Sequence, residues 1–253
     1  MTATMIWILL LPFFGTTLGA AWVFFLGKRP VPKLRQGLSG LAGGVMVAAS
    51  VWSLILPALE QSESLGAFAC LPCLAGIWCG VLFLRILDRL IPWLHRGALQ
   101  SGNSNRLLTL AVTLHNLPEG MAVGVAAAGY LAGTGLPLSG VLTLSLGIAL
   151  QNLPEGAIIS LPMGSAGVSR RRAFAVGTAS GIVEPVGAFL TLLLAGLVVP
   201  ILPFLLCFSA GAMLYVVVQE LIPDLQAEGE FPAGVLFFTA GFSVMMLLDV
   251  LLG

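Results

Sequence analysis

The chain has 253 residues, 58% of them hydrophobic and only 9% charged, with a mean hydropathy of +1.04. A water-soluble domain carries about 25% charged residues, so this composition excludes one and marks an all-α integral membrane protein. Eleven basic residues balance eleven acidic ones, and without a basic face nothing points to nucleic acid.

A helix needs roughly 20 apolar residues to cross the hydrocarbon core. Eight stretches qualify, approximately 4–26, 38–59, 66–89, 107–129, 138–161, 172–195, 200–221 and 233–252. They form a single transmembrane domain over 1–253. The first stretch is too long for a signal peptide, and its basic residues Lys28 and Arg29 follow it rather than precede it. All eleven basic residues fall in three connections: 1–2 (Lys28, Arg29, Lys33, Arg35), 3–4 (Arg85, Arg89, Arg96, Arg106) and 5–6 (Arg170, Arg171, Arg172). With eight spans these lie on one side, the cytoplasm by the positive-inside rule, so both termini are expected outside. The 7–8 connection on the same side is acidic (Asp224, Glu228, Glu230) and carries little orientation signal. The arginine triplet reads as a topology anchor. No P-loop is present, which argues against transport driven by the chain's own ATP hydrolysis. The 31 glycines suit close-packed membrane helices. The four cysteines make no disulfide framework, and Cys70-x-x-Cys73 reads as helix packing.

The fourth stretch contains Leu114-His115-Asn116-Leu117-Pro118-Glu119-Gly120, and the fifth contains Leu150-Gln151-Asn152-Leu153-Pro154-Glu155-Gly156. Six of seven positions are identical at an offset of 36 residues. The two helices are antiparallel, so the duplication implies a local two-fold axis in the membrane plane, as in transporters with inverted repeats. Glu119, Glu155 and Glu184 all fall near the middle of their stretches. Carboxylates at that depth cost several kcal/mol each, and they persist where they face one another, water or a cation. His115 and Glu119 share a helix face at i, i+4, and Asn116 joins them at i, i+3. Gln151, Asn152 and Glu155 repeat the pattern. Pro118 and Pro154 cannot donate to the carbonyls of Leu114 and Leu150, so each predicted kink leaves an oxygen free. One imidazole, three carboxylates and amides at mid-membrane suit borderline divalent metals such as Zn²⁺ and Fe²⁺. One or two such ions bring the three negative charges close to neutrality.

These residues resemble the ZIP family of divalent metal transporters, in particular its GufA-like bacterial branch. The resemblance covers nearly the whole chain: Ala48-Ala49-Ser50 through Leu54-Ile55-Leu56-Pro57, both central motifs, Gly181–Gly187, Ala210–Pro223 and Gly241–Gly253. It implies eight helices arranged as two inverted three-helix units around helices 4 and 5, a 3+2+3 plan. It also implies movement of zinc, and of related ions such as Cd, Fe and Mn, toward the cytoplasm without ATP, in a bacterial inner membrane. It implies a binuclear centre, with His115, Glu119, Gln151 and Glu155 on the first metal. Asn116, Glu119, Asn152, Glu155 and Glu184 would hold the second, with Glu119 and Glu155 bridging.

The chain departs from the family pattern in three places. Asn152 stands where relatives can carry Asp, which predicts a weaker second site. Gln219 stands before Glu220 where relatives often carry His, and His95 alone replaces a His-rich 3–4 loop. The resemblance makes Glu60 and Glu63 outer way-stations, and Asp88, Glu220 and Asp224 inner ones. The alternative for these is ordinary charge at helix ends. Asp249 has no role readable from the sequence, and a homodimer is an assembly the sequence leaves open. Two other functions compete with transport. An intramembrane metal-dependent hydrolase would use metal-activated water, but no H-E-x-x-H motif is present. A metal sensor would need a signalling segment, and none is evident.

Overall fold

A computed structural model of the chain describes residues 3–26, 32–94, 104–225 and 233–252. Lys28, Arg29, His95, Arg96, Glu228 and Glu230 lie outside the described residues. Among the described residues the regular structure is entirely helical. The long helices are α1 (Ala3–Phe24), α2 (Leu34–Gln61), α3 (Cys70–Leu94), α4 (Ser104–Ala132), α5 (Leu138–Ser165), α6 (Arg170–Leu193), α7 (Ala195–Leu225) and α8 (Ala233–Leu252). Seven of these are long and apolar enough to cross a membrane, which makes the chain an integral multi-pass membrane protein. The remaining one, α4, has 29 residues, about 44 Å at 1.5 Å per residue. Its polar motif lowers its apolarity.

Prolines shape the helices locally. Pro118 and Pro154 sit inside α4 and α5 without breaking either, so the predicted kinks do not become helix ends. Pro185 has no N–H for the carbonyl of Gly181. The amide of Glu184 takes that carbonyl instead, at 3.1 Å, and α6 divides into Arg170–Ser180 and Val183–Leu193. The apolar stretch 172–195 predicts one unbroken helix, and the structure differs at this point. Two π-helical turns, Ser50–Ile55 and Val217–Leu221, precede Pro57 and Pro223. Stretch three starts later than expected, at Cys70. Before it, Glu63–Phe68 forms a 3₁₀ segment with Gly66 at φ 55°, a left-handed conformation that glycine adopts without steric cost.

Four helix pairs pack most extensively: α1 with α5, α4 with α6, α2 with α8, and α3 with α7. Lipid tails are as apolar as the side chains, so close van der Waals packing takes over the role of hydrophobic burial. A Cβ at Gly120 would collide with the carbonyl oxygen of Glu184, and one at Gly156 with that of Thr16. Gly44 against Phe238 and Gly211 against Ile77 bring the other two pairs equally close. The central helix α5 has 67% of its most apolar span buried, whereas α8 has 11%. The outer faces of α3 and α8 present Trp78, Leu82, Ile86, Leu247, Val250 and Leu251, a surface suited to lipid. Cys73 is buried in the core, in keeping with a packing role, and all four cysteines are free thiols.

Candidate metal centre

The motif residues of α4 and α5 meet at the middle of the bundle. His115, Asn116, Glu119, Gln151, Asn152, Glu155 and Glu184 are all buried, none more than 8% exposed. Asn116 donates through Nδ2 to Glu184 Oε1 at 3.0 Å, joining α4 to α6. Thr16 of α1 donates to the same oxygen at 2.7 Å. Glu119, Glu155 and Glu184 are close enough to repel one another, with Gln151 beside Glu119 and Asn152 beside Glu184. Asn152 Nδ2 turns to the carbonyl of Pro12 at 3.4 Å.

Several of these polar atoms are buried with no hydrogen-bond partner: Glu119 Oε2, Glu184 Oε2, Asn152 Oδ1 and both amide atoms of Gln151. A buried polar group without a partner costs roughly 1–3 kcal/mol, more when charged. Carboxylate and amide oxygens left bare together make a cluster of lone pairs, the donor set a divalent cation would satisfy.

His115 lines the same cavity as Glu119 and also contacts carboxylates on two other helices. Its Nε2 lies 3.0 Å from Asp88 Oδ1 on α3, and its Nδ1 approaches Glu220 Oε1 on α7 to 2.7 Å. Tyr215 donates to Asp88 Oδ2 at 2.7 Å. One ligand atom each from Asp88, His115 and Glu220 lies within 4.8 Å of the others, so the three can hold a metal ion. A cavity of about 40 Å³ connects His115 and Glu220 with Asn116, Glu119 and Glu155.

A larger cavity of about 470 Å³, beside the α4–α5 turn, is lined by Glu60, Ser53, Asp249 and Pro137 among others. There Ser53 donates to Asp249 Oδ1 at 2.6 Å. Asp224 stands apart from both cavities' polar clusters. Arg35 grips it through two hydrogen bonds, at 3.0 and 2.9 Å, and Ser39 adds a third at 3.0 Å, which ties α2 to α7. Glu63 lies exposed in the 3₁₀ segment, away from the centre. Arg170 donates to the carbonyl of Phe24 at 3.1 Å, capping the end of α1.

Sequence reasoning missed Thr16, Tyr215 and the pairing of Ser53 with Asp249. The signal was slight: a hydroxyl in an apolar helix usually bonds its own backbone four residues back. Nothing in local spacing tells Thr16 from Thr191, which does so onto Gly187 at 2.8 Å.

Residues 95–249 match the model of a protein family described as "ZIP Zinc transporter". The chain is 36% identical to "Zinc transporter GufA" of Myxococcus xanthus, over 94% of this chain and 96% of that protein. It is 36% identical to "Zinc transporter ZIPB" of Bordetella bronchiseptica, over 95% of this chain and 79% of that protein. The human "Zinc transporter ZIP11" is 34% identical over 94% of both chains. Buried carboxylates on kinkable antiparallel helices, a family match across most of the chain and relatives aligned nearly end to end lead to one assignment: the chain belongs to the ZIP family of zinc transporters.

Proposed function

We propose that this protein carries zinc across the membrane toward the cytoplasm, without ATP, through a binuclear site at mid-bundle. The observation that carries this reading is the set of bare, buried acceptor atoms around Glu119, Gln151, Asn152 and Glu184, beside a cavity that Asn116, Glu119 and Glu155 line together with His115 and Glu220. His115, Glu119, Gln151 and Glu155 form the first site; Asn116, Glu119, Asn152, Glu155 and Glu184 form the second, with Glu119 and Glu155 shared. Glu60 lies on the route in, and His115 passes the ion to Asp88 and Glu220 on the route out. Cd, Fe and Mn ions are secondary cargo, since the same mixed N/O donor set accepts them.

The proposed fold is eight spans in a 3+2+3 plan, with α4 the eighth. The packing supports it. Exchanging α1 with α6, α2 with α7, α3 with α8 and α4 with α5 turns the α1–α5 contact into α6–α4 and the α2–α8 contact into α7–α3. The same exchange carries Gly156 against Thr16 onto Gly120 against Glu184, and the π-helical turn of α2 onto that of α7. The distribution of basic residues supports termini outside and the Arg170–Arg172 cluster inside, and likeness to the Myxococcus and Bordetella proteins supports a bacterial inner membrane.

The test is uptake of radioactive zinc into proteoliposomes containing the purified chain. Time-dependent accumulation without nucleotide supports transport. Zinc binding without accumulation would indicate a sensor, and turnover of a peptide or ester substrate would indicate the hydrolase.

A further inference from the structure

Thr16 sits on α1, 168 residues from Glu184 in the chain, and its hydroxyl bonds Glu184 Oε1 at 2.7 Å. Both residues are 0% exposed. Asn116 reaches the same oxygen, while Glu184 Oε2 forms no hydrogen bond, with Asn152 standing near the carboxylate. One oxygen of this carboxylate is therefore supplied with two donors and the other is bare. Two donors on one oxygen restrict rotation of the carboxyl plane, and hydrogen bonds to a charged acceptor are among the strong ones. The hydroxyl has another acceptor, the carbonyl of Pro12, but at 3.5 Å it is the poorer partner.

Thr16 is itself held in place. Its carbonyl lies against Gly156 and its side chain against Gly181, and a Cβ at either glycine would collide with it. The helix exchange described above gives this contact a second meaning. Thr16 packs on Gly156 as Glu184 packs on Gly120, so Thr16 occupies on α1 the place that Glu184 occupies on α6. Where one three-helix unit supplies a carboxylate, the other supplies a hydroxyl that donates to it. A fourth carboxylate at this depth would add a further large desolvation cost and repel Glu184, whereas a hydroxyl adds a donor.

We propose that Thr16 is a positioning residue of the metal centre: its hydroxyl orients Glu184 so that Oε2 faces the second metal. The proposal rests on the reading above that Glu184 is a ligand of that metal. Thr16→Val removes the hydroxyl at nearly constant shape. In calorimetric zinc titration of the purified full chain, the weaker of two binding steps should lose about tenfold in affinity, while the tighter step stays within about two-fold. Thr16→Ser should restore the weaker step, and Thr16→Ala should repeat the loss, which covers the case in which Thr16→Val fails to insert. Glu184→Gln separates the two levels of the argument. If it leaves both steps unchanged, Glu184 is no ligand and the proposal falls with that reading. If Glu184→Gln removes the weaker step but Thr16→Val and Thr16→Ala leave it intact, the positioning role alone is overturned. Equal loss in both steps without recovery in Thr16→Ser also overturns it, because that pattern marks a structural role.

Discussion

The Nε2 of His115 stands 3.0 Å from Asp88 Oδ1, which joins the motif of α4 to the far end of α3. The other ring nitrogen contacts Glu220 of α7. The imidazole thus lies between two carboxylates, one on α3 and one on α7, at the edge of the cavity that Glu119 also lines. An imidazole at this point can ligate an ion on either side, since its two nitrogens face different groups.

On this geometry Asp88→Asn and Glu220→Gln should slow zinc uptake by about tenfold while calorimetric affinity at the central site changes less than about two-fold. Tyr215→Phe, which removes only the hydroxyl that holds Asp88 Oδ2, should slow it by a few-fold. Initial-rate measurements in proteoliposomes compare the three directly. Equal loss of central affinity in all three would place Asp88 and Glu220 in the centre itself.

Glu119→Ala and Glu155→Ala each delete a ligand shared by both proposed metals and leave excess positive charge in a low-dielectric site. Both variants should lose nearly all uptake and still insert into the membrane. Uptake within about two-fold of the parent at equal expression contradicts the assignment, because removing a buried charge partner usually costs several kcal/mol.

Asn152 Oδ1 is buried without a partner, and a neutral amide is a weaker ligand for a divalent ion than a carboxylate. Asn152→Asp should tighten the weaker calorimetric step by roughly tenfold. A single step, unchanged by the substitution, would remove the case for a second metal.

Metal and protons compete for the same lone pairs of Glu119, Glu155, Glu184 and His115, and a ligand must be deprotonated to bind. Zinc affinity should therefore fall as pH falls from about 7 to about 5. Calorimetric heats that vary with the ionisation enthalpy of the buffer would report proton release. Buffer-independent heats would show that no net proton leaves.

Packing makes a separate prediction. A Cβ at Gly156 meets the backbone of α1, which cannot move aside as a flexible side chain could, whereas one at Gly196 meets nothing within 4 Å. Gly156→Ala should destabilise the purified protein by about 1–3 kcal/mol, seen as a lower unfolding temperature in detergent. Gly196→Ala should leave it unchanged or slightly more stable.

Hydropathy located the seven helices that are long and apolar enough to cross a membrane, because crossing a bilayer demands a long apolar run. The duplicated His115–Gly120 and Gln151–Gly156 motifs were legible for a related reason. Residues three and four apart on one helix share a face wherever the helix is placed, so a local spacing already implied a constellation. The break in α6 was not read, although Gly181 and Pro185 were its cause, since hydropathy does not register a lost hydrogen-bond donor. Partnerships between distant helices lay beyond the sequence altogether. Thr16 reaches Glu184 across 168 residues, Ser53 reaches Asp249 across 196, and Tyr215 reaches Asp88 across 127. Arg35 reaches Asp224 across 189 residues. Which helix faces which is decided by glycine notches and side-chain packing between segments, and those contacts exist only once the bundle has closed.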